Sequence, residues 1–173
     1  DLHSFPTRRS SDLLVYNNMG FQNAVYTEQA LGREGFIARN NPVVSLPMIA
    51  EGSAVKAGSF AFAGTDAEKQ VVGASASTAE ATAVAGLVAF DRVQLNQGAA
   101  SLAINEGEEV RLVLKGYAFV RSTTAAVKGD SVYMDPATGD IKASSSSVSN
   151  YIDTGWKVET GASAGQVCEI YNI

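Results

Sequence analysis

The sequence predicts an all-β fold: a small antiparallel β-sandwich or barrel, preceded by an extended N-terminal arm. Three observations carry this. Short apolar runs recur along the chain, broken by Gly, Asp, Asn or Pro, which is the spacing of strands and turns in sandwiches and barrels. Gly, Ala, Ser and Thr are abundant and strong helix-forming runs are few. The stretch Gly86–Arg121, GLVAFDRVQLNQGAASLAINEGEEVRLVLKGYAFVR, ends in residues of period two. Val110, Leu112 and Leu114 share one face, and Tyr117, Phe119 and Arg121 stand opposite Ala118 and Val120. With Lys115-Gly116 between them, these two runs are expected to form a β-hairpin.

In chain order, the first segment stands apart. Asp1–Leu13 (DLHSFPTRRSSDL) back-translates, codon for codon, into what looks like a short-read sequencing adapter, and it lacks the apolar core of a signal peptide. It is expected to have no part in the fold. Its removal takes away the single histidine, His3, and leaves the net charge of −5 unchanged, since Arg8 and Arg9 go with Asp1 and Asp12. Residues 14–50 are expected to form the arm and residues 51–173 the β-domain. Leu14–Asn41 has no clean period, yet it holds more large apolar residues than a disordered tail usually keeps. Pro42–Ala50 (PVVSLPMIA) is extended, and because Pro47 cannot donate to a central ladder it is an edge strand or arm.

The remaining elements follow from local patterns. Ala54–Ala63 reads as a strand start, a turn at Lys56-Ala57-Gly58, and a strand with Phe60 and Phe62 on one face. Gln70-Val71-Val72 is a short strand, and Gly73–Ala85 is poor in bulk and is expected to be a flexible loop. Leu87–Phe90 is a buried strand, and Asn96–Glu109 a surface loop. Ser131–Asp135 and Ile141–Ala143 flank the turn residues DPATGD, which make a second hairpin. Ser144–Ser149 is a Ser-rich loop. Gly155–Val158 and Gln166–Tyr171 close the sheet around a turn at Gly161–Gly165. Val110, Leu112, Leu114, Phe119, Val132, Val158 and Ile170 are the expected core.

Three of these pieces, in this order, carry a resemblance: Gly86–Asp91, then Glu106–Val120, then Gly129–Gly139 with its GDSVYMDPATG. Together with the short element Gly35–Arg39, they resemble the structural cement, or capsid decoration, proteins of tailed bacteriophages. The resemblance implies a protein on the outer capsid surface of a virion, with the major capsid protein as partner and a homo-oligomer, dimer or trimer, as the working unit. It also implies that the N-terminal portion lies along the capsid, which makes Phe21, Tyr26, Phe36, Ile37 and Arg39 the expected capsid contacts.

Composition points the same way. No stretch approaches the ~20 apolar residues of a membrane helix, and an acidic chain with scattered Lys and Arg is poorly suited to nucleic acid. A lone Cys168 in a strand-like run reads as a small core residue and excludes a disulfide framework. Without histidine, Ser-His and Cys-His catalysis is impossible; no phosphate loop or nucleophile elbow is present, and the carboxylates lie mostly in turns. No enzyme activity, cofactor or metal is expected, Asp135 and Asp140 reading as turn formers rather than calcium ligands. The alternative is a β-sandwich module that binds carbohydrate or adheres to a surface, for which Trp156 and a few tyrosines are the only aromatic candidates.

Overall fold

The computed structural model describes residues 32–52, 54–90 and 102–173, with the side chains of all of these except 40 and 41. The adapter-like segment 1–13 and the greater part of the arm, including Phe21 and Tyr26, lie outside the described residues. Among the described residues nine strands follow in order: β1 (Ile37–Ala50), β2 (Phe60–Ala63), β3 (Gln70–Val72), β4 (Gly86–Val88), β5 (Glu109–Arg121), β6 (Ser131–Met134), β7 (Ile141–Ser144), β8 (Ile152–Val158) and β9 (Val167–Asn172). They make one sheet in the order β1-β3-β2-β4-β5-β9-β8-β6-β7, and β1 pairs in addition with β5. That extra pairing closes β1, β3, β2, β4 and β5 into a ring. The fold is all-β, as expected, and antiparallel except where β1 runs parallel to β3.

Two cores follow from this layout. Every ring strand sends residues into the first: Met48 and Ala50, Val71, Ala61, Val88, and Val110 with Leu112, joined by Val55 and Ile104 from the loops. The second lies between the outside of the ring and the open sheet β5-β9-β8-β6-β7. Phe60, Phe62, Leu87 and Val113 meet Ala118, Val120, Met134, Trp156, Val158, Cys168 and Ile170 there. β2 shows the logic of alternation, with Phe60 and Phe62 turned to the second core and the small Ala61 to the ring interior. Trp156 is 2% exposed and packs edge-on against Phe60, with ring centroids 6.2 Å apart.

The expected hairpin at Lys115-Gly116 is not formed. Glu109–Arg121 is a single strand of 13 residues, paired with β1 along its length. Gly116 takes φ +138°, and a Cβ there would lie 2.9 Å from the carbonyl oxygen of Pro42. The glycine therefore makes a bulge, not a turn, while the register with β1 slips between Arg39, Val44 and Ser45. The bulge also changes which parity faces which core. Before it Val110 and Leu112 enter the ring and Val113 the second core; after it Ala118 and Val120 take the second core. Leu114 and Phe119, expected in the core, are accordingly only half-buried, whereas Val110, Leu112, Val132, Val158 and Ile170 are at most 1% exposed.

Two loops are more tightly held than expected. In the described part of Asn96–Glu109, Ile104 is 2% exposed and donates its N–H to Val55 O at 2.9 Å. Within Gly73–Ala85, a 3-10 turn at Ala76–Thr78 buries Thr78, whose hydroxyl donates to Pro136 O at 2.7 Å. The DPATGD turn forms as expected, with the Asp135 carboxylate accepting from the amides of Ala137 and Thr138.

Candidate interaction surface

The first described residues, Gly32–Arg39, are fastened to the fold residue by residue. Gly35, at φ +78°, donates its N–H to Phe119 O at 2.8 Å, and its carbonyl accepts from Phe90 N at 2.7 Å. A side chain at this point would run into Gly58 N at 2.8 Å and Phe90 N at 2.9 Å, so the chain threads between neighbours that only glycine admits. Phe36 then stacks on Phe90, centroids 4.9 Å apart, with the Arg33 guanidinium 5.5 Å from the same ring. Glu34 is paired with Arg121, which also donates to Gly165 O. Ile37 packs half-buried against the second core.

Arg39 ends this run at the surface. Its Nε donates to Glu169 Oε1 at 2.8 Å, and Nη2 reaches Glu169 Oε2 at 3.4 Å and Glu159 Oε1 at 3.5 Å. The guanidinium lies 4.0 Å over the Tyr117 ring, which stacks on Tyr171. Hydrogen bonding to Glu169 raises the guanidinium pKa further above its ordinary value, so the charge is permanent. Lys128 joins at 3.2 Å from Glu159, and the Thr160 hydroxyl donates to Glu169. The result is a charge-balanced, hydrogen-bonded aromatic face, suited to contact rather than to proton transfer.

Of the five residues expected at the capsid, then, Phe36 and Ile37 are engaged within their own chain and Arg39 sits on an exposed face. Phe21 and Tyr26 lie outside the described residues. Sequence reasoning missed the acidic partners of Arg39, Glu159 just beyond β8 and Glu169 on β9, which are more than a hundred residues away. It also missed the exposed apolar residues Val44, Leu46 and Ile49 of β1, at 47, 46 and 43% exposure. A cleft of about 410 Å³ between the Ala54–Ser59 loop and the β6–β7 turn is lined by charges of both signs, among them Lys56, Asp140 and the Glu34–Arg121 pair. Among the described residues no three His, Cys, Asp or Glu side chains gather as metal ligands.

A family model described as structural cement protein (E217 gp24/Pam3 gp6) matches residues 21–172. The chain belongs to this cement protein family. The match takes in both cores, the Gly35–Arg39 entry and the bulged β5, and it makes the chain a structural protein of a phage capsid. A chain in the capsid of Myoviridae phage XM1 has the same fold, with a TM-score of 0.66 and 20% identity over 88% of this cement protein and 97% of that chain. The head fiber gp8.5 N base of bacteriophage phi29 is more distant, with a TM-score of 0.41 and 10% identity over 76% of this chain and 94% of that one. No curated protein matches in sequence.

Proposed function

We propose that this chain binds the outer surface of an assembled phage capsid and cements neighbouring major capsid subunits. The family match over residues 21–172 carries the reading. The geometry supports it: the segment ahead of Gly32, with Phe21 and Tyr26, leads into a run anchored to β5, Phe90 and β9, so a pull on that segment would be passed to the sheet. Cementing is linkage. A protein that binds the assembled lattice and not free subunits shifts the equilibrium toward assembly, and a homo-oligomer that engages several subunits at once multiplies weak contacts through effective concentration. The glycan-binding alternative gains nothing from Trp156, which is buried.

The test uses purified capsids stripped of their cement protein. The full chain should co-sediment with them and raise the temperature at which they release DNA. Deletion of residues 1–31 and the substitution Arg39→Glu should each weaken binding while the β-sheet spectrum is kept. Binding to free subunits as strong as to capsids would overturn the reading, as would capsids left no more heat-stable by bound protein.

A further inference from the structure

The strand order ends at β7, which pairs with β6 on one side and has no strand partner on the other. The backbone groups of Ile141 and Ala143 face that other side, since directions alternate along a strand. Residues 122–124, which continue the chain beyond β5, meet them there. Thr123 donates its N–H to Ile141 O at 2.8 Å, and its hydroxyl adds a second bond at 3.0 Å. The Ala143 N–H is shared between the hydroxyls of Ser122 and Thr124, each 3.2 Å away. The Thr124 hydroxyl in turn donates to Ala143 O at 3.0 Å. One hydroxyl thus accepts from and donates to the same residue, as the backbone of a partner strand would. Ser122 has no backbone to spare for β7. Its N–H goes to Gln166 O and its carbonyl accepts from Gly165 N, so only its side chain, in a residue 1% exposed, can serve that side. Further on, Ala126 and Ala162 exchange both backbone bonds, at 2.8 and 3.0 Å, which pins the segment beyond the contact.

We propose that Ser122–Thr124 is a latch, built largely from hydroxyls, that ties the last strand of the sheet back to the end of β5 and denies its edge to foreign strands. A bared edge strand is a template for strand addition. Ile141-Lys142-Ala143-Ser144 is suited to act as one, with a single charge and no proline. The latch takes the place that a further strand would fill. The two hydroxyls lie 3.3 Å apart, so they act as one group upon Ala143. A seam of this kind holds fewer bonds than a ladder, and β7 therefore opens locally before the strands paired on both sides do. The device belongs to the chain by itself, whatever surface the chain binds.

Hydrogen exchange followed by NMR on the full chain should find the Ala143 amide protected, although hydroxyls and no backbone carbonyl accept it. Ser122→Ala combined with Thr124→Val nearly keeps the bulk of both side chains and removes both hydroxyls. It should speed exchange at Ala143 about tenfold or more, while the amides of the β5–β9 ladder keep their rates. The double variant should also form thioflavin-positive aggregates under conditions where the unaltered chain stays clear. Thr124→Ser, which retains a hydroxyl, should do neither. If the double variant fails to fold, Thr124→Val alone makes the same comparison. An unprotected Ala143 amide in the unaltered chain overturns the proposal. So does a folded variant whose exchange at Ala143 is unchanged, or one whose exchange quickens with no added aggregation.

Discussion

Leu112 and Cys168 show how much a single side chain carries in each core. Leu112 is 1% exposed inside the ring, where no neighbour from outside can move in. Leu112→Ala should cost about 2–5 kcal/mol in urea unfolding, and a loss below about 1 kcal/mol would mean the ring interior collapses onto the space. Cys168 is 2% exposed, and burial pushes its thiol pKa from 9.0 up to about 11. The folded state thus holds the proton that the unfolded state releases. The resulting stabilisation is complete below pH 9 and is lost as pH rises through 9 to about 11. It amounts to at most about 2–3 kcal/mol. Melting curves of Cys168→Ala should accordingly fall less steeply over that interval than those of the unaltered chain, and the native thiol should resist alkylation at pH 8. Equal slopes would place the alkaline sensitivity elsewhere.

At the scale of elements, Gly116 decides the architecture. Gly116→Val should destabilise the protein by about 1–3 kcal/mol, because φ +138° is closed to a branched residue and the Pro42 carbonyl occupies the space; an unchanged melting temperature would show that the bulge can relax. This was also where the sequence misled. Two alternating runs around Lys-Gly look like a hairpin, and the local pattern holds no sign that both halves are claimed by β1, about seventy residues earlier. The strands β2, β3, β4 and β6 to β9 were legible because each is a short apolar or alternating run bounded by its own turn residues. Ile104 and Thr78 were not, since single buried residues in polar loops carry no period. The Arg39 face was half legible: the arginine could be singled out, but Glu159 and Glu169 reach it only through the β8–β9 pairing. Val44, Leu46 and Ile49 gave no signal because an edge strand that borders a ring does not keep one wet and one dry face.

For the whole molecule, the ring places a limit on truncation. Deletion of residues 1–31 should leave a folded protein with nearly the same melting temperature, since the strands and core clusters of the described residues all lie after Gly32. Deletion through Ala50 removes the strand that closes the ring, together with the buried Met48 and Ala50, and should yield no cooperative transition in calorimetry. A folded product of the longer deletion would mean that β3 and β5 can close on each other without β1.

The same closure has a cost in time. β1 leaves the ribosome roughly seventy residues ahead of β5, which at about 5–20 residues per second is roughly 4–14 s of waiting. In that interval a nascent chain displays Val43, Val44, Leu46, Met48 and Ile49 with both strand edges unsatisfied, beside other nascent chains doing the same. Pro42 and Pro47 interrupt any ladder that two such segments could extend. They act as guards against co-translational aggregation before they serve as features of a finished edge. Replacing both with residues that keep the extended backbone should leave the purified protein's stability nearly intact, while the share recovered in inclusion bodies rises.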